Sequence, residues 1–207
     1  MELAWVGMDA MRERPPASVR GEVDEQTIEA CRRGDRVALT HFVRTYDKTV
    51  FAFLSRMVGA GPHVEDLAQE VFLRAHQALP RFRYRADVRV STWLLKIAVR
   101  LVQDHRKKKR LPLVPLDTQM VDDGRRGPEH MRRRREIAAA FERAAAQLSD
   151  EQRAVFLLAH FHGRSMAEIA ELVGIPEATA KTRLFRARAK LRKLLAPHRE
   201  APAEETP

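Results

Sequence analysis

The stretch SMAEIAELVGIPEATAKTRLFRARAKLRKLL, Ser165 to Leu195, decides the fold. Ser165 stands three residues before Glu168, the spacing at which a hydroxyl and a carboxylate satisfy each other's orphan amides at a helix start, so a short helix is expected to run to Leu172. Val173-Gly174-Ile175 supplies a turn. Pro176, whose missing N–H costs nothing in a first turn, then opens a longer helix. At about 100° per residue, Ala180, Leu184, Ala187 and Leu191 form one narrow stripe that must bury against the first helix, and the pair reads as a helix-turn-helix. The opposite face carries Ala178, Thr182, Phe185, Arg186 and Ala189, with Lys181 and Arg188 along one shoulder and Arg183 and Lys190 along the other. A small, polar face of this kind fits a major groove. Arg186 can pair with guanine and Phe185 can touch a thymine methyl, while the shoulder cations meet phosphates. The alternative reading of the same pattern is a solvated basic helix with Phe185 packed on a neighbour.

Upstream, helical periodicity resumes near Arg134, and a second capping box, Ser149 with Gln152, marks another helix start. Between Leu111 and Met131, Pro112, Pro115, Gly124, Gly127 and Pro128 are too closely spaced for a regular element, so residues 111–133 read as a flexible linker. From Asp24 to Arg110 the pattern is helical again, broken at Gly34-Asp35, at Gly59-Ala60-Gly61-Pro62 and between Pro80 and Val90. The expectation is an all-α fold of two small helical domains, 24–110 and 134–196, with loose tails at 1–23 and 197–207. No internal repeat and no alternating strand pattern occurs.

In the first domain, a helix beginning near His63 should bury Val64, Leu67, Val71, Ala75 and Ala78. Its far side carries Asp66, Gln69, Glu70 and Gln77 with Leu73 in their midst. A leucine ringed by carboxylates and amides suits a helix-on-helix protein contact with an apolar centre and polar rim, although single exposed leucines are also ordinary. The next loop alternates Arg81, Arg83, Arg85 and Arg89 with Phe82, Tyr84 and Val88. Cations interleaved with aromatics suit unstacked, single-stranded bases. Trp93, Leu94 and Ile97 have the spacing of a buried helix face.

Composition narrows the function class. The 207 residues carry 38 Lys and Arg against 28 Asp and Glu, a formal charge of +10, and 44% are hydrophobic, enough for a folded core and indicative of a polyanionic partner. The charge is concentrated. Eleven cations against two Asp lie between Arg81 and Arg110, and seven against one Glu between Pro176 and Lys193, leaving the rest of the chain acidic. One cysteine, Cys31, excludes an intrachain disulfide and a Cys-based zinc cage, and points to the cytoplasm. Glu2 and Asp9 interrupt the first apolar stretch, and Lys96 and Arg100 the longest one, so neither a signal peptide nor membrane insertion is expected. No HExxH, Gly-rich phosphate loop or nucleophile elbow occurs, so no catalytic residue, metal or cofactor is expected.

Two ordered motif blocks resemble bacterial sigma factors of the extracytoplasmic-function group, in the sigma-70 family. The first is Asp66-Leu-Ala-Gln69-Glu70-Val-Phe72-Leu73 followed by Ser91-Thr92-Trp93-Leu94, Ile97-Ala98 and Asp104-His105-Arg106; the second is the helix-turn-helix from Gln152 to Leu194. The resemblance covers residues 24–195 apart from the linker. It implies that 24–110 is sigma region 2, binding core RNA polymerase and the −10 element, and that 134–196 is region 4, binding the −35 element. By the same resemblance Asp66, Gln69, Glu70 and Leu73 dock on the clamp helices of the polymerase beta-prime subunit. Arg81, Phe82, Arg83, Tyr84, Arg85 and Arg100 serve the −10 element, with Phe82 and its loop holding flipped-out bases. Pro176, Ala178, Thr179, Lys181, Thr182, Phe185 and Arg186 match the positions that read the −35 element. The chain departs from the family pattern in a loop about two residues longer between Phe82 and Trp93 and in Arg100, where Asn is usual, so the identity of the captured base is not carried over. Ala178 replaces a frequent Gly and Ala180 a larger aliphatic. The resemblance further implies promoter DNA and an anti-sigma factor as partners. The competing hypothesis is a stand-alone helix-turn-helix regulator that binds duplex DNA as a dimer.

Overall fold

Asp24 and Asp35 start the first two helices. Asp24 accepts from the Thr27 amide at 2.8 Å, and Asp35 from those of Val37 and Ala38 at 2.8 and 3.1 Å, which sets the beginnings of α1 (Glu25–Arg32) and α2 (Arg36–Val58). The structure is a computed structural model that describes residues 22–59, 61–84, 89–108, 132, 136, 139–141 and 143–196. After α2 come α3 (Pro62–Ala78), a 3-10 turn η1 (Leu79–Arg81) and α4 (Val90–Lys108). In the second half, residues 139–141 and 143–146 are helical, followed by α5 (Asp150–His160), α6 (Met166–Val173) and α7 (Glu177–Leu195). All regular elements among the described residues are helical, as the periodicity predicts. None of these helices is long and apolar enough to cross a membrane.

Both capping boxes close. The Gln152 amide donates to Ser149 Oγ at 3.3 Å and the Ser149 amide donates back to the Gln152 side chain at 3.2 Å; in Ser165 and Glu168 the same pair measures 3.2 and 2.8 Å. α6 ends on Gly174 at φ +73°, a left-handed conformation that glycine adopts without a Cβ clash. Pro176 is the cap of α7, one position outside the helix. Ala180, Leu184, Ala187 and Leu191, the whole expected stripe, are buried.

The first domain is built on α4. Leu94, Leu95, Ala98, Val99, Leu101 and Val102 are all buried, because α2 and α3 pack on one side of the helix and α6 on another. α3 turns Val64, Leu67, Val71 and Ala75 into this core, whereas Ala78, expected with them, stays half-exposed as the helix tightens into η1. A second correction concerns the amino-terminal tail expected at 1–23. Val23 is buried and its amide donates to the Tyr46 hydroxyl at 3.0 Å, while the Glu22 carboxylate accepts from Tyr46 at 2.8 Å and from Ser91 Oγ at 2.6 Å. An apolar side chain and a carboxylate with two hydroxyl donors extend the folded part to residue 22. Residues 1–21, 109–131 and 197–207 lie outside the described residues, and with them nearly all of the expected linker and both tails.

The two domains pack on each other and share one buried cluster. Three arginines cross the boundary. Arg153, fully buried, donates to the Met57 carbonyl at 3.1 Å and the Ala145 carbonyl at 2.8 Å. Met57 lies in the last turn of α2, whose carbonyls have no partner within the helix. Arg106 donates to the same carbonyl and pairs with Asp150. Arg164 donates to Ser91 Oγ at 2.8 Å, and a lysine joins this set through a Lys96–Glu171 bridge of 2.8 Å. Burial, with the neighbouring Arg106 charge, pulls the Arg153 guanidinium down to about 10, so it remains protonated and depends on those carbonyls.

His162 sits in the same junction, its ring edge-on to Phe53 at 5.6 Å between centroids. Burial first, then the charges of Arg56 and Arg164, push its imidazole down to about 3 from an ordinary 6.5. Below pH 6.5 the unfolded chain therefore takes up a proton that the folded chain refuses, and stability falls as pH drops through this window, by up to about 1.4 kcal/mol per pH unit. Between pH 6.5 and 5 the wild type should lose about 2 kcal/mol more than His162→Gln in chemical denaturation; equal losses would contradict the buried neutral imidazole.

Candidate polymerase and nucleic-acid interfaces

The outer face of α3 is formed because its inner face is fixed by Val64, Leu67, Val71 and Ala75, leaving Asp66, Gln69, Glu70, Leu73 and Gln77 turned away from the core. Leu73 is 53% exposed, an apolar side chain without cover. Asp66 and Gln69 are exposed beside it. Glu70 is half-buried and engaged in an i,i+4 bridge to Arg74 at 2.7 Å, so its carboxylate is already oriented. The four residues expected at this surface thus share one face. α2 also exposes Val37, Val43 and Phe51, which sequence reasoning passed over because cations and Asp47 separate them.

The loop after η1 departs from expectation. Phe82, whose ring was expected to hold an unstacked base, is 9% exposed and stacks on Trp93 with ring centroids 4.4 Å apart. An apolar ring next to a large half-buried indole gains more from that contact than from solvent. Arg81 and Arg83 are exposed, Tyr84 is half-buried against the core, and Arg100 is exposed on α4. Arg85 lies outside the described residues. Trp93 and Ile97 are half-buried and packed on the core, and Leu94 is buried, in line with the expected helix face.

On α7 the face opposite the buried stripe is open. Phe185 is 71% exposed, and Pro176, Ala178, Lys181, Thr182 and Arg186 are exposed around it, with Thr179 half-buried. Thr182 Oγ1 donates to the Ala178 carbonyl at 2.9 Å, and Lys181 pairs with Glu177 at 2.7 Å, both at solvent. The shoulders are less free than the sequence suggests: Arg183 bridges to Glu151 at 3.0 Å, Lys190 donates to the Gln147 carbonyl, and Arg188 donates to His160. Among the described residues nothing covers Phe185, which stands against the alternative reading of that side chain.

A helical module with an exposed carboxamide-and-carboxylate face, packed beside a helix-turn-helix whose second helix is open and basic, has the architecture of a DNA-binding protein. Residues 42–111 match the Sigma-70 region 2 family and residues 138–191 the Sigma-70 region 4 family. The chain is 30% identical over 186 residues to the RNA polymerase sigma-H factor of Pseudomonas aeruginosa, covering 85% of this chain and 95% of that one. It is 32% identical over 183 residues to the ECF RNA polymerase sigma factor SigW of Bacillus subtilis, covering 83% and 96%. Among solved structures, CnrH in complex with the cytosolic domain of CnrY aligns at a TM-score of 0.58 with 24% identity over 84% of this chain and 97% of that one. The sigma factor RpoE in complex with the anti-sigma factor NepR from Bartonella quintana aligns at 0.58 with 21% identity over 76% and 96%; both share the fold. The chain belongs to the sigma-70 family of RNA polymerase sigma factors, in the extracytoplasmic-function group. It is a promoter-directing subunit of RNA polymerase, and the stand-alone dimeric regulator is not favoured.

The facing of α7 yields a direct check. Leu184→Ala should cost about 2–5 kcal/mol of stability because Leu184 belongs to the buried stripe. Phe185→Ala, one residue on, should stay within about 0.5 kcal/mol of wild type. The reverse order in thermal or urea melts would mean a helix rotated away from this arrangement.

Proposed function

We propose that α3 docks the chain on the polymerase beta-prime clamp helices through Asp66, Gln69, Glu70 and Leu73, that the loop from Arg81 takes the separated −10 strand, and that α7 reads the −35 element as duplex. What supports this most is one large exposed apolar side chain amid polar or small residues on each face, Leu73 at 53% on α3 and Phe185 at 71% on α7. Each is the centre that a partner must cover, and each lies where the family resemblance puts a partner. Arg186 beside Phe185 would pair with a guanine edge, Lys181 and Thr182 would flank it, and Pro176, Ala178 and Thr179 would bring the helix start against the backbone. At the other element Arg81, Arg83, Arg85 and Arg100 would neutralise the strand, and Tyr84 would stack. Phe82 would act from within, holding the loop on Trp93. The chain performs no chemistry of its own in this reading and works in the cytoplasm. An inhibitor of the anti-sigma kind, as accompanies the Bartonella quintana protein, is proposed as a further partner.

The packed arrangement of the two domains has a consequence for promoter reading. Elements centred at −35 and −10 lie about 25 base pairs apart, or ~85 Å along B-DNA at 3.4 Å per pair. Yet α7 is separated from α4 only by α6, two helix packings of about 8–10 Å each. Both surfaces cannot reach their elements in that state, so the domains separate on the promoter. The expected linker, 23 residues from 111 to 133, extends to at most roughly 75–83 Å, just short of that span, and the breadth of the two domains makes up the rest. Separation also parts Lys96 and Arg106, cations of the first basic segment, from Glu171 and Asp150, which neutralise them when the domains are packed.

Two sets of variants test the assignments. Leu73→Ala and Gln69→Ala should each weaken core polymerase binding by about 1 kcal/mol or more with an unchanged melting midpoint; full affinity in both would remove the docking face. Arg186→Ala should cost about 1–3 kcal/mol and relax preference at one −35 base pair, whereas Lys181→Ala should weaken all sequences alike. A uniform loss for both would refute base reading by Arg186.

A further inference from the structure

Arg32 is the last residue of α1, a helix anchored by the buried Ile28 and Cys31, and its guanidinium reaches across to η1. Nε donates to the Leu79 carbonyl at 3.0 Å, and a terminal nitrogen donates to the Phe82 carbonyl. The other terminal nitrogen pairs with Glu29. Leu79 and Phe82 are the two ends of the turn from which the loop emerges. The Phe82 amide already closes that turn by donating to the Ala78 and Leu79 carbonyls at 3.0 and 3.1 Å. The Phe82 carbonyl follows the turn in extended backbone at φ −70° and ψ 125°, so it has no helical partner of its own. Three separate guanidinium nitrogens meet three acceptors here, whereas a lysine ammonium has three donors on a single nitrogen and cannot reproduce that fixed planar spacing. Glu29 neutralises the charge that remains, and the side chain is only 24% exposed. Arg32 is therefore committed to the turn and is not a free cation facing a phosphate.

We propose that Arg32 is a positioning residue for capture of the −10 strand: by stapling Leu79 to Phe82 it fixes the point and direction from which the chain continues into the exposed Arg83 and the half-buried Tyr84. Phe82 is held twice, by its carbonyl on Arg32 and by its ring on Trp93 at 4.4 Å. A cation and an aromatic that must meet a phosphate and a base together lose their joint effect when their common origin swings, because the ordering then has to be supplied at the moment of binding. The proposal rests on the assignment of this loop to the −10 strand.

The test uses the whole chain assembled with core polymerase, with a fluorescent single-stranded −10 oligonucleotide as the probe. Arg32→Ala and Arg32→Lys should both weaken capture by about tenfold or more, the scale of lost hydrogen bonds from a charged donor. Core polymerase affinity and binding to a −35 duplex should stay within about twofold of wild type, which a general loss of fold would not allow. Arg32→Lys keeps charge and helix preference, so it carries the test should the alanine variant be unstable. Wild-type capture by Arg32→Lys would show that charge alone suffices and would overturn the stapling role. Arg83→Ala and Tyr84→Ala separate the two levels. If they lose capture while both Arg32 variants keep it, the staple is wrong and the loop assignment stands; if they too are silent, the loop assignment falls and the staple with it.

Discussion

The burial of α4 against three neighbours is the constraint on which the rest depends. Six of its apolar side chains, from Leu94 to Val102, have almost no contact with solvent, and each such burial is worth about 1.5–3 kcal/mol for the larger ones. α2 and α3 cover it within its own domain and α6 covers it from the other. What remains on its surface is Trp93 against Phe82, Arg100 at solvent, and Lys96 and Arg106 on the acidic residues of the second domain. The helix is thus both the centre of the first core and the seat of its basic segment. One face of it has to serve two occupants.

The docked second domain is held by apolar contact and by charges of unequal value. Lys96–Glu171 is exposed on the acid side and contributes little. Arg153 is different, since it has no exposure and its two carbonyl partners come from opposite sides of the boundary. Removing either partner leaves a buried cation with half its bonds, a cost of several kcal/mol unless water enters. Opening the two domains lets water reach that guanidinium, so the packed state is favoured by geometry without being irreversible. In the proposed function, binding to polymerase and to two separated DNA elements would supply the offset.

Local features were legible in the residues. Both capping boxes, the stripe of Ala180, Leu184, Ala187 and Leu191, and the exposure of Leu73 and Phe185 follow from spacing of 3.6 residues per turn, a rule that acts within one helix. The misplacements involve contacts between distant segments. Phe82 among arginines reads as a surface aromatic until Trp93, eleven residues on, is seen to cover it. Glu22 and Val23 look like tail because their partners, Tyr46 and Ser91, are far along the chain. Arg153 gave no signal at all: an arginine just before the run Ala154 to Leu158 looks like a solvated flank, and only the approach of the α2 end makes it a buried cap. Arg32 escaped for the same reason, its partners lying 47 and 50 positions away.

The central claim is that two domains packed through α4 and α6 separate in order to read two promoter elements. The direct measurement is the distance between fluorophores on Lys48→Cys in α2 and Arg192→Cys in α7, both exposed sites outside the proposed interfaces, with the buried Cys31 left unlabelled. It is taken on the free chain and again in a promoter complex with core polymerase. The account predicts a single short distance in the free chain that lengthens by on the order of 30 Å or more in the complex. An initiating complex in which that distance is unchanged would contradict it.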